Sequence, residues 1–146
     1  MGSFDRNRRF SILAQAAEPA IPLLDLAERV LAKSGAEVAV ATPPQVGMVM
    51  LRLREPTDGT VFNAGEVLVT EARVTIGAHD GYAMRLGRAP ELTLAAALLD
   101  AAVEGAHPLT PAIEAALGAC EEAERARQLT AWRAVAPTRV AFDEMR

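Results

Sequence analysis

Any chemistry this chain performs has to come from a small set of residues grouped around two glycines. Glu66 follows Gly65 at the mouth of an alternating apolar stretch, and Arg85 and Arg88 flank Gly87 just before a proline-led helical pattern, with Tyr82 between the two groups. Two guanidinium groups close to the free N–H groups of a helix N-terminus can hold an anion. Pro90 removes one of those donors and Glu91 adds a negative charge beside them, which works against a phosphate. The competing arrangement pairs Arg85 and Arg88 with Glu66, Glu71 or Glu91 at the surface, and the residue types leave both open. Gly65, Glu66, Tyr82, Arg85, Gly87 and Arg88 are therefore the candidates for ligand or partner binding.

Other reactive groups are sparse. The chain has neither a Gly-x-x-x-x-Gly-Lys phosphate loop nor a Gly-x-Gly-x-x-Gly turn. His79 and His107 are far apart and Cys120 is the single cysteine, whereas zinc needs three or four convergent ligands. No metal, no bound cofactor and no catalytic residue is expected in this chain alone. His79 reads as a solvated turn residue, His107 as part of a loop between helices, and Cys120 as core on an apolar helical stripe. Trp132 reads as a packing or interface residue. A net charge of -4 argues against non-specific nucleic-acid binding, which needs a basic face. The lone cysteine rules out an internal disulfide and fits a reducing cytoplasm. No apolar run approaches the ~20 residues of a bilayer span. Arg6, Arg8 and Arg9 precede an apolar run that stops at Gln15 and Glu18, short for an export signal, so an amphipathic first helix is expected.

The elements that position these residues follow from periodicity. At 146 residues, one domain over 1–146 is expected. Hydrophobic residues make up 51% but aromatics only 4%, so Leu, Val and Ala must fill the core and helices can approach closely. Residues 5–16 have helical spacing, with Phe10, Leu13 and Ala17 on one stripe. After Pro19 and Pro22, residues Leu23, Leu26, Ala27, Val30 and Leu31 repeat it, ending near Lys33 and Gly35. Val38–Ala41 and Val46–Arg54 alternate as strands, separated by a turn at Thr42-Pro43-Pro44-Gln45. In the second, Val49, Leu51 and Leu53 oppose Met48, Met50, Arg52 and Arg54.

The centre is an antiparallel hairpin. Leu68, Thr70, Ala72, Val74 and Ile76 form one face of its first strand, Gly77–Gly81 the turn with Asp-Gly at its end, and Tyr82, Met84 and Leu86 the apolar face of its second. The sum is an α+β fold, a four-stranded antiparallel β-meander packed with N-terminal and C-terminal helices. Pro90 opens a helix apolar over most of its surface, charged only at Asp100 and its terminal glutamates, which must lie across the sheet. Thr110 as N-cap before Pro111 opens a last helix carrying Ile113, Leu117 and Cys120, a Glu121–Arg125 pair on its wet side, then Leu129 and Trp132. Pro137 ends that helix, and the tail from Thr138 to Phe142 reads as extended. The mixed second sheet face, with methionines and Val67/Val69 among arginines, must carry helices or meet a partner.

The order Phe62-x-x-Gly65-Glu66-x-x-x-Thr70-x-Ala72-x-Val74, then Gly81-Tyr82-x-x-x-Leu86-Gly87-Arg88, then Leu99-Asp100-Ala101 resembles the PhnG family of the bacterial carbon–phosphorus lyase system. Thr42–Met50 with Gly47, and Arg139-Val140-x-Phe142, add to the resemblance, which covers nearly the whole chain. It implies a role in organic phosphonate use. PhnG-type subunits work with PhnI, PhnH and PhnL to replace the adenine of ATP by a phosphonate at ribose C1′ (alpha-D-ribose 1-methylphosphonate 5-triphosphate synthase), and PhnJ with its iron–sulfur cluster opens the product. The nucleosidase chemistry is attributed to PhnI. The resemblance thus implies a cytoplasmic transferase-complex subunit with PhnI, PhnH, PhnJ and PhnL as partners and ATP as substrate of the complex. The chain departs from the family pattern at Glu71, where Arg is usual, at Glu66 for Asp, and at Ala89–Thr93 for a stretch with Asp, basic residues and His-Ala. The alternative reading is a divergent homologue acting as a self-associating scaffold or binding module.

Overall fold

A computed structural model describes residues 5–16 and 21–138. Its elements are α1 (Arg6–Gln15), α2 (Ile21–Lys33), β1 (Val38–Arg54), β2 (Val61–Ile76), β3 (His79–Leu86), α3 (Pro90–Glu104) and α4 (Thr110–Val135), closed by a 3-10 turn over Ala136–Thr138. Thr138 therefore sits in a turn, not an extended tail. The Arg139–Phe142 stretch, like Ala17 and Pro19, lies outside the described residues.

The sheet has three strands in the order β1-β2-β3, not four. The expected turn at Thr42–Gln45 is instead a distortion inside one 17-residue strand: partners jump from Thr42↔Arg73 to Gln45↔Glu71. β1 is an edge strand, so prolines that cannot donate to a ladder are tolerated as an irregularity there. The β2–β3 hairpin is present, but its loop is only Gly77-Ala78, between the pair Ile76↔His79. Gly77 has φ +58, a conformation glycine adopts freely. Asp80-Gly81, expected in the turn, is already strand.

The expected face of β3 is inverted. Val74↔Gly81, Ala72↔Ala83 and Thr70↔Arg85 are partners, so Gly81, Ala83 and Arg85 share the buried face with Val74, Ala72 and Thr70. Tyr82 and Met84 are half-buried on the other side and Leu86 is exposed. A one-residue choice of register moves every side chain across the sheet, and α3 makes that choice. A Cβ on Gly81 would lie 2.1 Å from the Ala97 carbonyl oxygen and 2.4 Å from the Ala101 nitrogen. Only glycine lets the helix backbone come so close to the strand. From Ala95 to Ala102 every residue of α3 is buried, as expected of a helix apolar nearly all round.

Behind α3 lie Leu23, Leu26, Ala27 and Val30 of α2, with Ile113 and Leu117 of α4, and Leu13 of α1 completes the same cluster. α1 is capped by Asp5, whose side chain accepts from the Arg8 N–H at 2.7 Å. The buried side chains of α1 are Arg9 and Leu13, and Phe10 is only half-buried. α4 begins at Thr110 as expected, but Leu109 is the N-cap and Thr110 makes no cap hydrogen bond. The backbone already turns the chain there, with Thr110 N donating to His107 O and Ile113 N to Leu109 O. Glu121 pairs with Arg8 of α1 at 2.6 Å rather than with Arg125.

Candidate functional site

Asp100 is the one carboxylate in the middle of α3, and it is almost wholly buried. An ionised carboxylate there needs partners, because burying a charge alone is very costly. It has three. Arg9 Nε reaches Oδ1 at 2.6 Å, Arg6 reaches Oδ2 at 3.2 Å, and the Tyr82 backbone N–H donates to Oδ2 at 3.1 Å. Arg9 also pairs with Glu104, one turn further along α3. The N-terminal arginines thus fasten α1 to α3 and to β3. Beside this anchor opens a cleft of about 320 Å³ lined by Arg6, Asn7, Phe10, Arg73, Asp80, Tyr82 and Asp100. Phe10 stacks on Tyr82 with centroids 5.9 Å apart, and the Arg73 guanidinium lies 5.4 Å from the Tyr82 ring centroid. Arg73 pairs with Asp80 at 3.0 Å, and the Tyr82 hydroxyl donates to Glu71 at 2.9 Å. Burial first, and then the Glu71 carboxylate, push the Tyr82 pKa up to about 12. A phenol held that firmly in its neutral form does not exchange protons near neutrality. Arg6 and Arg73 both already face an acid, so an incoming anion would compete with Asp80.

The sequence candidates are dispersed. Only Tyr82 lies in this cleft. Arg85 is buried under α1, where it donates to the carbonyls of Leu13 and Ala16 at the helix's C-terminal end. That is a favourable place for a cation, although burial weighs against its charge and lowers its pKa. Neither the surface pairing with Glu66, Glu71 or Glu91 nor a seat at the start of α3 describes it. Gly87 is a pivot at φ +78, its N–H on Leu68 O and its carbonyl accepting from the Thr70 hydroxyl. Arg88 stands exposed at the β3–α3 junction. The Thr70 hydroxyl also accepts from Ala89 N, so that N–H at the start of α3 is occupied. Gly65 (φ +138) and Glu66 lie far out on β2, opposite Leu51 and Met50.

That outer part of β1 and β2 carries many of the exposed large apolar side chains among the described residues. β3 ends opposite Val69, so the pairing of Met48–Arg54 with Val61–Leu68 continues as a two-stranded arm without a third strand. About seven residues a side at ~3.3 Å each make it roughly 23 Å long. Met48, Met50, Leu51, Leu53, Val61, Phe62 and Leu68 are between 38% and 64% exposed there. The alternation read from sequence, Val49, Leu51 and Leu53 against Met48 and Met50, leaves no alternation in burial: all but the half-buried Val49 are exposed. Here, though, the face carrying the three aliphatics is not core, since Leu51 and Leu53 are exposed. A bare two-stranded ribbon is marginal in water, and exposed apolar side chains gathered on it make it a surface suited to meeting a partner.

Compared with known families, residues 4–146 match the model of PhnG, the phosphonate metabolism protein. The chain belongs to the PhnG family. None of the curated proteins compared with it matches. PhnG membership makes this a protein of phosphonate metabolism. No helix among its described residues is long and apolar enough to cross a membrane, and no three metal-ligating side chains converge among them. In this PhnG chain, Glu71 is the acceptor for the Tyr82 hydroxyl. Ala89–Thr93 builds the first turn of α3, with the Thr93 hydroxyl on Ala89 O at 2.6 Å. The Arg9–Asp100 pair was missed from sequence. The available signal was a lone aspartate inside an otherwise apolar helix, which has to find a cation somewhere in the fold.

Proposed function

We propose that this chain is a non-catalytic subunit of the carbon–phosphorus lyase core complex. In this reading it assists the transfer of a phosphonate onto ribose C1′ of ATP with release of adenine, and PhnI-, PhnH-, PhnJ- and PhnL-type subunits are its partners. The observation that carries the reading is the exposed apolar arm, Met48–Arg54 with Val61–Leu68. Its role is to be covered by another polypeptide. The paired cleft around Tyr82 supports the non-catalytic part, since its charges are spent on holding α1, α3 and β3 together.

Co-expression with a cognate PhnI-type subunit tests this. The expected result is co-purification, and a shift of the complex's product from ribose 5-triphosphate toward the phosphonate ester when this chain is added. Separation on purification together with an unchanged product would refute it. Light scattering on the isolated chain examines the scaffold alternative: a discrete homo-oligomer that persists when the PhnI-type subunit is added would favour self-association.

A further inference from the structure

α4 changes character along its length. Its first half packs on the core through Ile113 and Leu117. From Arg125 to Pro137 every residue is exposed, so the second half stands clear of the domain. At about 100° per residue, Leu129 and Trp132 lie roughly 160° and 180° around the helix from Ile113, on the side turned away from the core. Their exposure, 48% and 61%, is therefore not the loose end of a core stripe. Arg125 and Arg133 fall within about 60° of Trp132 on that same side. Two cations thus bracket an apolar pair on one exposed stripe.

Charge narrows what can cover this stripe. The whole chain is acidic, with a net charge of -4, yet residues 125–138 hold three arginines and no Asp or Glu. Arg127, on another side, is paired with Glu124. Arg125 and Arg133 form no ion pair among the described residues, and Glu121, one turn before Arg125, is taken by Arg8. A second copy does not fit, because pairing the stripe with itself about Leu129 sets Arg125 opposite Arg133. A bilayer does not fit either, since two large apolar side chains make too narrow a face to lie among headgroups. Nucleic acid would meet an acidic molecule. An apolar groove edged by carboxylates suits both the charge and the grease, and Trp and Arg are the residue types that most often anchor an interface.

On the reading above, in which this chain works inside a complex, we propose that the end of α4 is a second docking element, separate from the arm. Its Leu129–Trp132 side lies in an apolar groove of another subunit, and Asp or Glu on the rim of that groove faces Arg125 and Arg133.

Trp132 is the only tryptophan, so fluorotryptophan gives the full chain a single fluorine NMR signal. The PhnI-, PhnH-, PhnJ- and PhnL-type subunits are added singly. One of them should move that signal saturably, with an affinity that falls as salt rises. Met48→Asp, on the arm, should leave the shift at saturation unchanged. In calorimetry with the same subunit, Trp132→Ala should weaken binding roughly thirtyfold. Arg125→Glu with Arg133→Glu should weaken it about tenfold or more and remove most of the salt dependence. All three positions are exposed, so the isolated variants should unfold at the parent's temperature. A Trp132 signal that stays put while a subunit binds would overturn this docking and leave the role of the arm standing. No binding by any of the four would refute both. A shift that appears on concentrating the chain alone, or equally with phosphatidylglycerol vesicles or duplex DNA, would overturn it in favour of that occupant.

Discussion

Tyr82 gathers several of the residue-scale features of this protein. It is the only tyrosine in the chain, so its ionisation can be followed by ultraviolet absorbance without interference. Burial and Glu71 raise its pKa to about 12, above the ordinary value near 10. The stability this gives is fully present below pH 10 and is lost as pH rises toward 12, because the unfolded chain ionises first. An absorbance titration should place the transition near 12, and Glu71→Gln should move it down. A transition at the ordinary tyrosine value in the native chain would contradict the Glu71 hydrogen bond. Arg85 makes a second case. If its task is to bind a ligand, Arg85→Met leaves stability alone. The carbonyls of Leu13 and Ala16 say otherwise, and the substitution should cost about 3 kcal/mol, since a charged donor is lost and buried acceptors are left open. Denaturant unfolding measures the loss, and hydrogen exchange should show it as early opening of α1.

At the scale of elements, the contact between α3 and β3 decides the sheet. Gly81→Ala drives a methyl group into the helix backbone at Ala97 and Ala101, where no flexible side chain can give way. The expected loss is about 3 kcal/mol or more by thermal unfolding. A near-neutral effect would mean that helix and strand do not lie as close as described. The arm predicts the opposite pattern. Met48→Asp and Phe62→Asp fall on exposed positions and should alter stability by no more than about 0.5 kcal/mol. If those side chains are anchors for another chain, each should weaken its binding by roughly thirtyfold, the loss usual for an interface hot spot. Calorimetry of the chain alone and of the mixture separates the two effects.

The whole molecule divides into a core that closes on itself and surfaces that do not. α3 is buried by the sheet on one side and by α2 and α4 on the other, and α1 is pinned over the edge by Arg6, Arg9 and Arg85. The arm leaves this core, and so does the second half of α4, where Leu129, Trp132 and Val135 are exposed. A protein built in this way should unfold as one unit through its core while its projections respond mainly to a partner. Hydrogen exchange on the isolated chain should therefore give high protection in α3 and β3 and low protection in Met48–Leu53 and Val61–Leu68. On addition of the PhnI-type subunit, only the projections should gain protection. Uniform protection of the arm in a monomer would contradict its being uncovered.

Periodicity, turn residues and composition were enough to place the helices near their true limits, to find the β2–β3 hairpin and to mark α3 as the buried helix. Those features are written in local pattern, because an amphipathic helix and a half-buried strand each need their own spacing whatever surrounds them. Ordered short motifs from Phe62 to Asp100 likewise carried the family. What local pattern could not decide was which face of β3 turns inward. Tyr82, Met84 and Leu86 are the more hydrophobic set, yet Gly81, Ala83 and Arg85 are buried, because the close approach of α3 requires small residues and the end of α1 supplies acceptors for the arginine. Nor could it show that Pro43-Pro44 lies within an edge strand, or that Arg9 meets Asp100 across 91 positions of sequence. These depend on which elements become neighbours, and only the packed chain brings those neighbours together.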